Sequence, residues 1–359
     1  MSTGIDIGKY STKIVELSLT KGEIAVKKIG TLNTFEDINK FDLEKISKSQ
    51  LEACIQDLSK NMSINPRKVK NAISSISGTL VDIRQISTLD MPDEELSVSL
   101  ELEAKKHIPL DGTDAIIDYH HLGSNDTEID KINILLVSTT KNIVKDHANI
   151  IKNSGFRVET FDTDPIAIAN MYKYNYGLTS EGSDVILNIG NSSTTLIVWG
   201  QNFPFFTRNI EISGNHFTNE IMRELGVDYQ TAENLKSEKG VNVFMEDKNT
   251  EENLETEDSS ESNFGISVEK RTCFNELCED IKRTLRFYMK NNNQAFFNNF
   301  YITGGSAEIL GINEFIASAL NVNVVTFNPF QKISNDTQID NPNQYTTVLG
   351  LALRGLDIE

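Results

Sequence analysis

The chain has 359 residues, which is long enough to form two or more domains with separate hydrophobic cores. Its 34 basic and 52 acidic side chains give a net charge of −18, which argues against nucleic acid or anionic lipid as a direct ligand. Part of this charge is local, because residues 246–261 carry eight acidic residues and one lysine. We predict a solvated acidic loop over 246–263, with a docking tail as the alternative.

The cysteine pattern and the hydropathy indicate a cytoplasmic protein. Cys54, Cys273 and Cys278 form no even set, and the last two lack the C-x-x-C spacing of a redox motif. No stretch approaches the about 18 apolar residues that a membrane span requires. The N-terminus leads directly into a predicted strand rather than a signal peptide. We therefore expect a reduced compartment and no direct membrane insertion.

Residues 4–13, GIDIGKYSTK, predict a strand, a tight turn at Gly8 and a second strand. Glycine, lysine and hydroxyl side chains at a turn are typical of a phosphate site. The P-loop motif does not fit, however, because three residues separate Gly4 from Gly8 and Tyr10 follows Lys9. A different kind of phosphate-binding hairpin is needed to explain the stretch.

The same pattern recurs 182 positions later, which indicates an internal repeat. Four residue types are identical in the two copies: Ile7, Gly8, Ser11 and Thr12 align with Ile189, Gly190, Ser193 and Thr194. Each copy predicts a hairpin whose turn presents backbone N–H groups to a phosphate. An acid on the strand before the turn, Asp6 in the first copy, can hold Mg²⁺ through water. Two such hairpins can face each other across a cleft.

A third glycine turn follows a short apolar strand. Residues 299–312, NFYITGGSAEILGI, predict a strand, a turn at Gly304 and Gly305, and a helix with Ser306 as its N-cap. Paired glycines allow the backbone to approach a flat base and a ribose. A lone glycine pair is a weak signal, and the two preceding hairpins make it more specific.

Hydrophobic periodicity predicts further elements around these turns. Helices are predicted over 42–60, 94–107, 215–225 and 273–290, and a buried strand over 69–77. His120 and His121 are adjacent and have no other ligand cluster near them, so they do not predict a zinc site.

The order hairpin, hairpin, strand and glycine turn resembles the nucleotide-binding fold shared by actin, Hsp70, sugar kinases and FtsA. Within this group the chain resembles the PilM family of type IV pilus assembly proteins. The segments that carry the resemblance are 4–18, 100–122, 162–170, 212–236, 301–312 and 348–356. The most specific of them has an E-A-x-x-x-I-P run from Glu103 and a D-x-x-x-D-Y strand from Asp114.

The resemblance implies an α/β fold of the duplicated actin/Hsp70/FtsA-like nucleotide-binding type with an inserted FtsA-type subdomain. The implied bounds are 1–78, 156–181 and 330–359 for the first actin-like domain (1A), 79–155 for the inserted subdomain (1C-like), 182–213 and 299–329 for the second actin-like domain (2A), and 214–298 for subdomain 2B with the acidic loop. The implied ligands are ATP or ADP and Mg²⁺.

The residues expected to contact the nucleotide lie in the two hairpins, the glycine turn and one helix. They are Asp6, Gly8, Lys9, Tyr10, Ser11, Thr12, Lys13, Asn188, Gly190, Asn191, Ser192, Ser193, Thr194, Gly214, Glu233, Lys236, Gly304, Gly305 and Ser306. Asp6 is the expected metal ligand, acting through water. Glu233 and Lys236 resemble family residues that reach the ribose and base, with a solvated ion pair as the alternative. The family usually has an aspartate where this chain has Asn188, which argues for slow hydrolysis without excluding binding.

The first functional hypothesis is a cytoplasmic ATP-binding scaffold, a slow ATPase at most, whose closed form partners recognise. The resemblance implies that the partner is the N-terminal cytoplasmic segment of PilN, which recruits the protein to the inner membrane, and that it is linked to the pilus motor ATPases. The residues expected to bind that segment are Ala104, Ile108, Pro109, Ile117 and Tyr119, unless they pack the core of the insert. The acidic chain suits a basic juxtamembrane tail.

Two other hypotheses remain open at this point. An ATP-dependent phosphotransferase of the sugar or acetate kinase type needs a general base, and Asp162 and Asp164 are the candidates. An Asp-x-Asp-Pro run before an apolar helix is, however, more often a helix cap. An FtsA-like filament would be tethered by a terminal amphipathic helix, whereas this sequence ends in GLALRGLDIE. A homodimer or filament without such a tether is compatible with the sequence.

Overall fold

The computed structural model describes residues 1–106, 114–125, 128–158, 160–244 and 271–356. The strands are β1 (Ser2–Ile7), β2 (Ser11–Thr20), β3 (Glu23–Asn33), β4 (Ala72–Ile76), β5 (Asp82–Leu89), β6 (Ala115–Ser124), β7 (Lys131–Thr140), β8 (Thr160–Thr163), β9 (Asp184–Ile189), β10 (Thr194–Gly200), β11 (Phe203–Ile210), β12 (Phe300–Thr303) and β13 (Val324–Thr326). The helices are α1 (Lys48–Asn61), α2 (Asp93–Lys105), α3 (Lys141–Asn153), α4 (Asp164–Tyr176), α5 (Gly214–Leu225), α6 (Tyr229–Lys239), α7 (Cys273–Asn292), α8 (Ile312–Leu320) and α9 (Thr346–Arg354). The predicted acidic loop 246–263 lies outside the described residues.

Two five-stranded sheets have the same topology. The strand order is β3-β2-β1-β4-β8 in the first sheet and β11-β10-β9-β12-β13 in the second. In each sheet the first three strands are antiparallel neighbours and the last two are joined in parallel. The two hairpins also close on equivalent pairs, Ile7 opposite Thr12 and Ile189 opposite Thr194. The internal repeat predicted from the sequence is therefore confirmed as a structural duplication.

One buried cluster contains side chains from both sheets. Leu17 of β2, Tyr172 of α4, Ile186 of β9, Tyr301 of β12 and Leu349 of α9 all belong to it, each with at most 9% of its surface exposed. Removing these apolar surfaces from water is the main favourable contribution to folding. The two halves of the chain therefore share this cluster, and further buried clusters lie within each half.

A third sheet, with the order β5-β7-β6, is inserted between β4 and α3. On one face of this sheet, α2 buries Leu96 and Leu100 against Ile134 and Leu136. Its edge strand β5 lies beside β11, where the backbone N–H of Phe205 donates to Gln85 at 2.9 Å. The insert thus contacts the second sheet as well as the first half from which it emerges.

Helix α3 packs against the first half of the chain rather than into the insert. Ile150 and Ile151 lie in the cluster that contains Ile5 and Ile55. The predicted bounds of the subdomains stay a prediction, and this packing places α3 with the first sheet.

The predicted helices 94–107, 215–225 and 273–290 are confirmed as α2, α5 and α7. The predicted helix 42–60 is wrong at its start, because the helix begins only at Lys48. Ser47 and Gln50 form a capping box there, which fixes the first turn. In the described ranges no helix is both long and apolar enough to cross a membrane.

Candidate functional site

Both hairpin turns line a cavity of about 760 Å³. Sixteen of the predicted nucleotide contacts lie on its wall: Asp6, Gly8, Lys9, Tyr10, Ser11, Lys13, Asn188, Gly190, Asn191, Ser192, Ser193, Glu233, Lys236, Gly304, Gly305 and Ser306. A volume of this order is typical of small-molecule sites. The folding of the chain therefore brings together segments more than 290 residues apart in one cavity.

The first hairpin places a carboxylate and an ammonium group side by side. Asp6 precedes the turn at Gly8, and the Nζ of Lys13 lies 3.4 Å from its Oδ2. The same Nζ donates to Ser11 Oγ at 3.1 Å. Both charged side chains are largely buried, with 11% of Lys13 and 16% of Asp6 exposed. The hairpin can thus offer both a cation for a phosphate and an oxygen ligand for a metal.

The second hairpin and the glycine turn lie against each other. Asn188 on β9 is paired with Thr303 on β12, the residue before the glycines. Gly304 has φ +94°, and a Cβ there would lie 2.5 Å from Ile189 O and 2.7 Å from Asn188 Oδ1. Only glycine avoids both the steric conflict and the strain. A Cβ on Gly305, in contrast, would meet no heavy atom within 4 Å and would stand in open space at the cavity wall.

Ser306 does not cap a helix as predicted. The glycine turn leads into a single 3-10 turn, Gly305–Glu308, and α8 begins only at Ile312, after Gly311. The N-cap position of the 3-10 turn is Gly304, which has no side chain to accept a hydrogen bond. The N–H groups of this short turn nevertheless border the cavity.

Helix α6 contributes a buried ion pair. The Nζ of Lys236 lies 2.6 Å from Glu233 Oε1 and 2.7 Å from Thr218 Oγ1. Only 8% of the Lys236 side chain and 18% of the Glu233 side chain are exposed, so the alternative of a solvated surface pair is wrong. Burial lowers the pKa of Lys236, and the Glu233 carboxylate opposes that effect.

Three of the predicted contacts support the cavity without lining it. Thr12 is fully buried behind the first turn. Thr194 is equally buried, and its Oγ1 donates to Ile212 O at 2.7 Å. The N–H of Gly214 donates to Gly190 O at 2.9 Å, and its carbonyl accepts from Lys236 at 3.3 Å. Gly214 thus connects the second hairpin to α6.

Asp164 lies on the cavity wall, although the sequence pattern favoured a helix cap. The N-cap of α4 is Thr163, and Asp164 instead accepts a hydrogen bond from Ser75 Oγ. Asp162 forms an ion pair with Arg354 at 2.9 Å, away from the cap position. Burial first, and the Asp6 carboxylate second, raise the pKa of Asp164. Asp6 and Asp164 therefore both line the cavity.

His147 of α3 also lines the cavity and was not predicted to do so. Its Nε2 lies 3.0 Å from Ser74 Oγ on β4, and its ring packs edge-on against Phe161. Burial lowers the pKa of His147 from 6.5 to about 4. In the folded state the imidazole of His147 is therefore neutral above about pH 4.

This histidine makes stability depend on pH. The unfolded chain binds a proton at His147 below about pH 6.5, whereas the folded chain does so only near pH 4. The free energy of unfolding should therefore fall as the pH drops through this window, by up to about 3 kcal/mol from this residue. Urea unfolding of the wild type and of His147→Gln across the window should give a flatter pH dependence for the variant. The same slope in both proteins would contradict the assignment, and His120→Gln, at an exposed position on β6, is the control.

The predicted partner residues lie mostly inside the insert. Ala104 is fully buried, and Ile117 and Tyr119 pack against the same core between α2 and the three-stranded sheet. Ile108 and Pro109 lie outside the described residues. Partner binding at this set stays a prediction.

Two equivalent sheets, each contributing a hairpin turn to one cleft, define an actin-like nucleotide-binding fold. Residues 4–248 match the family model described as type IV pilus assembly protein PilM. The chain belongs to this family, which confirms the resemblance inferred from its motifs. Residues 185–350 also match the model of the cell division protein FtsA.

Solved structures have the same fold. A PilM-PilN type IV pilus biogenesis complex contains a chain that is 20% identical, with 99% of both chains covered and a TM-score of 0.79. The ethanolamine utilization protein EutJ from Carboxydothermus hydrogenoformans is 12% identical, with 98% of this chain and 89% of that chain covered and a TM-score of 0.52. A diol dehydratase-reactivating factor is 10% identical over all of both chains, with a TM-score of 0.52. These likenesses establish the actin-like architecture.

Proposed function

We propose that this protein is an ATP- or ADP-binding scaffold of the type IV pilus machinery. Its membership of the PilM family carries the proposal, and the cavity between the two sheets supplies the ligand site. In this role the bound nucleotide sets how far the two halves close. Partner proteins then recognise the closed form by population shift.

The chemistry of the cavity suits a nucleotide phosphate. The turn amides of Lys9 to Ser11 and of Asn191 to Ser193 would hold the phosphates, and Lys13 would supply a positive charge. The pair Glu233 and Lys236 offers hydrogen-bond partners to a ribose and base.

The donor set also suits Mg²⁺, because the carboxylates of Asp6 and Asp164 line the same cavity. Carboxylate and water oxygens are the ligands that this cation prefers. When bound, Mg²⁺ would neutralise charge on the phosphates. Asp6 would hold it through water, and Asn188 would contribute an amide where a second carboxylate is usual.

A slow ATPase is the second candidate, and Asp164 favours it. A buried acid with a raised pKa beside Asp6 is suited to accept a proton from an attacking water. The missing carboxylate at Asn188 argues for a low rate. Asp164 could also serve as the general base of a phosphotransferase. Release of ADP that is stimulated by a second substrate would reveal that activity.

A nucleotide titration tests the proposal directly. Isothermal titration with ATP and with ADP, with and without Mg²⁺, should give one site per chain and tighter ATP binding with the metal. Mass spectrometry of the freshly purified protein should identify a copurified adenine nucleotide. The absence of binding for both nucleotides under both conditions would overturn the assignment of the cavity.

We further propose that the insert binds the N-terminal cytoplasmic segment of PilN, and that this recruits the protein to the inner membrane beside the motor ATPases. In the related solved complex, a PilM protein is paired with PilN. In this chain, α2 and β6 expose Val98, Leu102, Ile116 and Leu122, each at least 39% accessible, outside the buried core of the insert. An extended apolar and basic tail could use the exposed side of α2, formed by Val98 and Leu102, together with the acids of that helix, whereas Ile116 lies on the opposite face of the sheet from α2.

Capture by a synthetic PilN tail peptide tests this surface. Val98→Glu and Leu102→Glu should weaken capture, because they place a charge in an apolar contact on the exposed side of α2. Leu310→Glu is the matched control, since Leu310 is 55% exposed and lies in the second half. Equal capture by all three variants and the wild type would move the partner site elsewhere.

A further inference from the structure

A short segment between β3 and α1 is tied to the first hairpin turn. The backbone N–H of Thr34 donates to Tyr10 O at 3.0 Å, and its Oγ1 donates to Lys9 O. Thr34 is itself buried, with 6% of its surface exposed. The segment therefore begins in fixed contact with the turn that faces the proposed phosphates.

Contacts between aromatic rings connect the segment to the second half. Tyr10 lies 4.9 Å from Phe35 and 5.3 Å from Phe41, measured between ring centroids. Phe41 in turn lies 5.6 Å from Tyr229, the first residue of α6, in an edge-on arrangement. Phe41 and Tyr229 are 9% and 6% exposed. Edge-on pairs of this kind attract each other beyond the area that they bury.

A hydrogen bond beside these rings joins the same two halves. The backbone N–H of Gln230, in the first turn of α6, donates to Asn39 Oδ1 at 3.0 Å. The first N–H groups of a helix have no partner within the helix, and the α6 N-cap Asp228 serves Thr231 instead. A side chain of the first half thus satisfies a helix terminus of the second half.

The segment also borders two cavities. Leu43 and Glu44, which follow it, line the nucleotide cavity as well as a second cavity of about 730 Å³. Phe41, Asn39 and Tyr229 line that second cavity. The contacts between the halves therefore lie at the boundary between the two spaces.

We propose that residues 34–41 form a clasp that holds the two halves of the cleft together and limits the rate at which nucleotide enters and leaves. The clasp joins the hairpin turn at one end to α6 at the other, and α6 carries Glu233 and Lys236. That the ligand is a nucleotide rests on the proposed function, whereas the contacts that hold the two halves together do not. Opening the cleft requires the Phe41–Tyr229 and Asn39–Gln230 contacts to break together.

Two variants weaken the clasp at separate points. Phe41→Ala removes the ring contact, and Asn39→Ala removes the acceptor for Gln230. Phe287→Ala is the control, because the ring of Phe287 packs against Phe206 within the second half and lies outside residues 34–41 and outside the lining of both cavities. Hydrogen–deuterium exchange of the nucleotide-free protein measures opening at α6. Dissociation of fluorescent mant-ATP, chased with unlabelled ATP, measures release.

We expect Phe41→Ala and Asn39→Ala to raise amide exchange in α6 while exchange in α1 stays unchanged. Each should speed mant-ATP dissociation by about three- to tenfold, whereas Phe287→Ala should change it less than about twofold. The effects of Phe41→Ala and Tyr229→Ala on release should be less than additive, because both remove the contact between these two rings. Unchanged exchange in α6, or faster exchange without faster release, would overturn the clasp. If the wild type bound no mant-ATP, the proposed function would fail, and the exchange in α6 alone would decide the clasp.

Discussion

Replacing Gly305 by leucine should strongly weaken nucleotide binding and leave the fold intact. A Cβ at this position meets no heavy atom within 4 Å, and the residue lies on the cavity wall outside the left-handed backbone region. The leucine side chain would therefore occupy space that the ligand needs. An overpacked contact costs about 1–3 kcal/mol, so affinity for ATP should fall by about 5- to 150-fold. Isothermal titration measures the affinity, and urea unfolding should change by less than about 0.5 kcal/mol.

The neighbouring Gly304→Ala substitution should behave in the opposite way. Its Cβ would press on Ile189 O in a backbone conformation that alanine rarely adopts, so stability should fall by about 1–3 kcal/mol or more. The pair separates steric blocking of the cavity from damage to the fold. If Gly305→Leu bound ATP as tightly as the wild type, the base and ribose would have to lie elsewhere.

Asp6→Ala should remove the effect of Mg²⁺ on ATP binding. The carboxylate is the proposed partner of the metal's water shell, and losing such a partner weakens metal affinity by about 10- to 100-fold. Without Mg²⁺ the variant should bind ATP at least as well as the wild type. The reason is that Lys13 loses the carboxylate 3.4 Å away and a negative charge near the phosphates disappears.

The metal dependence distinguishes this role from a structural one. Lys13→Met is the matched control at the other end of the pair, and it should weaken ATP binding both with and without Mg²⁺. Titrations of ATP at several Mg²⁺ concentrations give, for each variant, the dependence of ATP affinity on Mg²⁺. A wild-type response to Mg²⁺ in Asp6→Ala would show that Asp6 only shapes the turn.

Local patterns were enough to predict the two hairpins. Each turn is encoded within about ten residues by a glycine and flanking β-branched or apolar positions, so the pairs Ile7–Thr12 and Ile189–Thr194 follow from the repeat. The start of α1 was predicted too early, because residues 42–47 are apolar enough to extend the period while the Ser47 cap decides where the helix begins. Hydrophobic periodicity alone does not show whether the apolar period or the capping residue sets the start of a helix.

The misread positions depend on distant contacts. Asp164 looked like a cap, but Ser75, 89 residues away, holds its carboxylate in the cavity. His147 reaches the cavity because α3 packs on the first sheet, which its own amphipathic pattern cannot reveal. The contact between Asn39 and Gln230 spans 191 positions, and no local rule connects those two residues. Tertiary packing decides each of these cases.

The shared core has a consequence for how such a fold could arise. Tyr172 and Leu349 come from helices that pack on the first sheet, yet they lie in one cluster with Ile186 and Tyr301 of the second sheet. A single ancestral half would expose this apolar face and would need a second copy to cover it. Joining two copies in one gene turns that association into an intramolecular one at a high effective concentration.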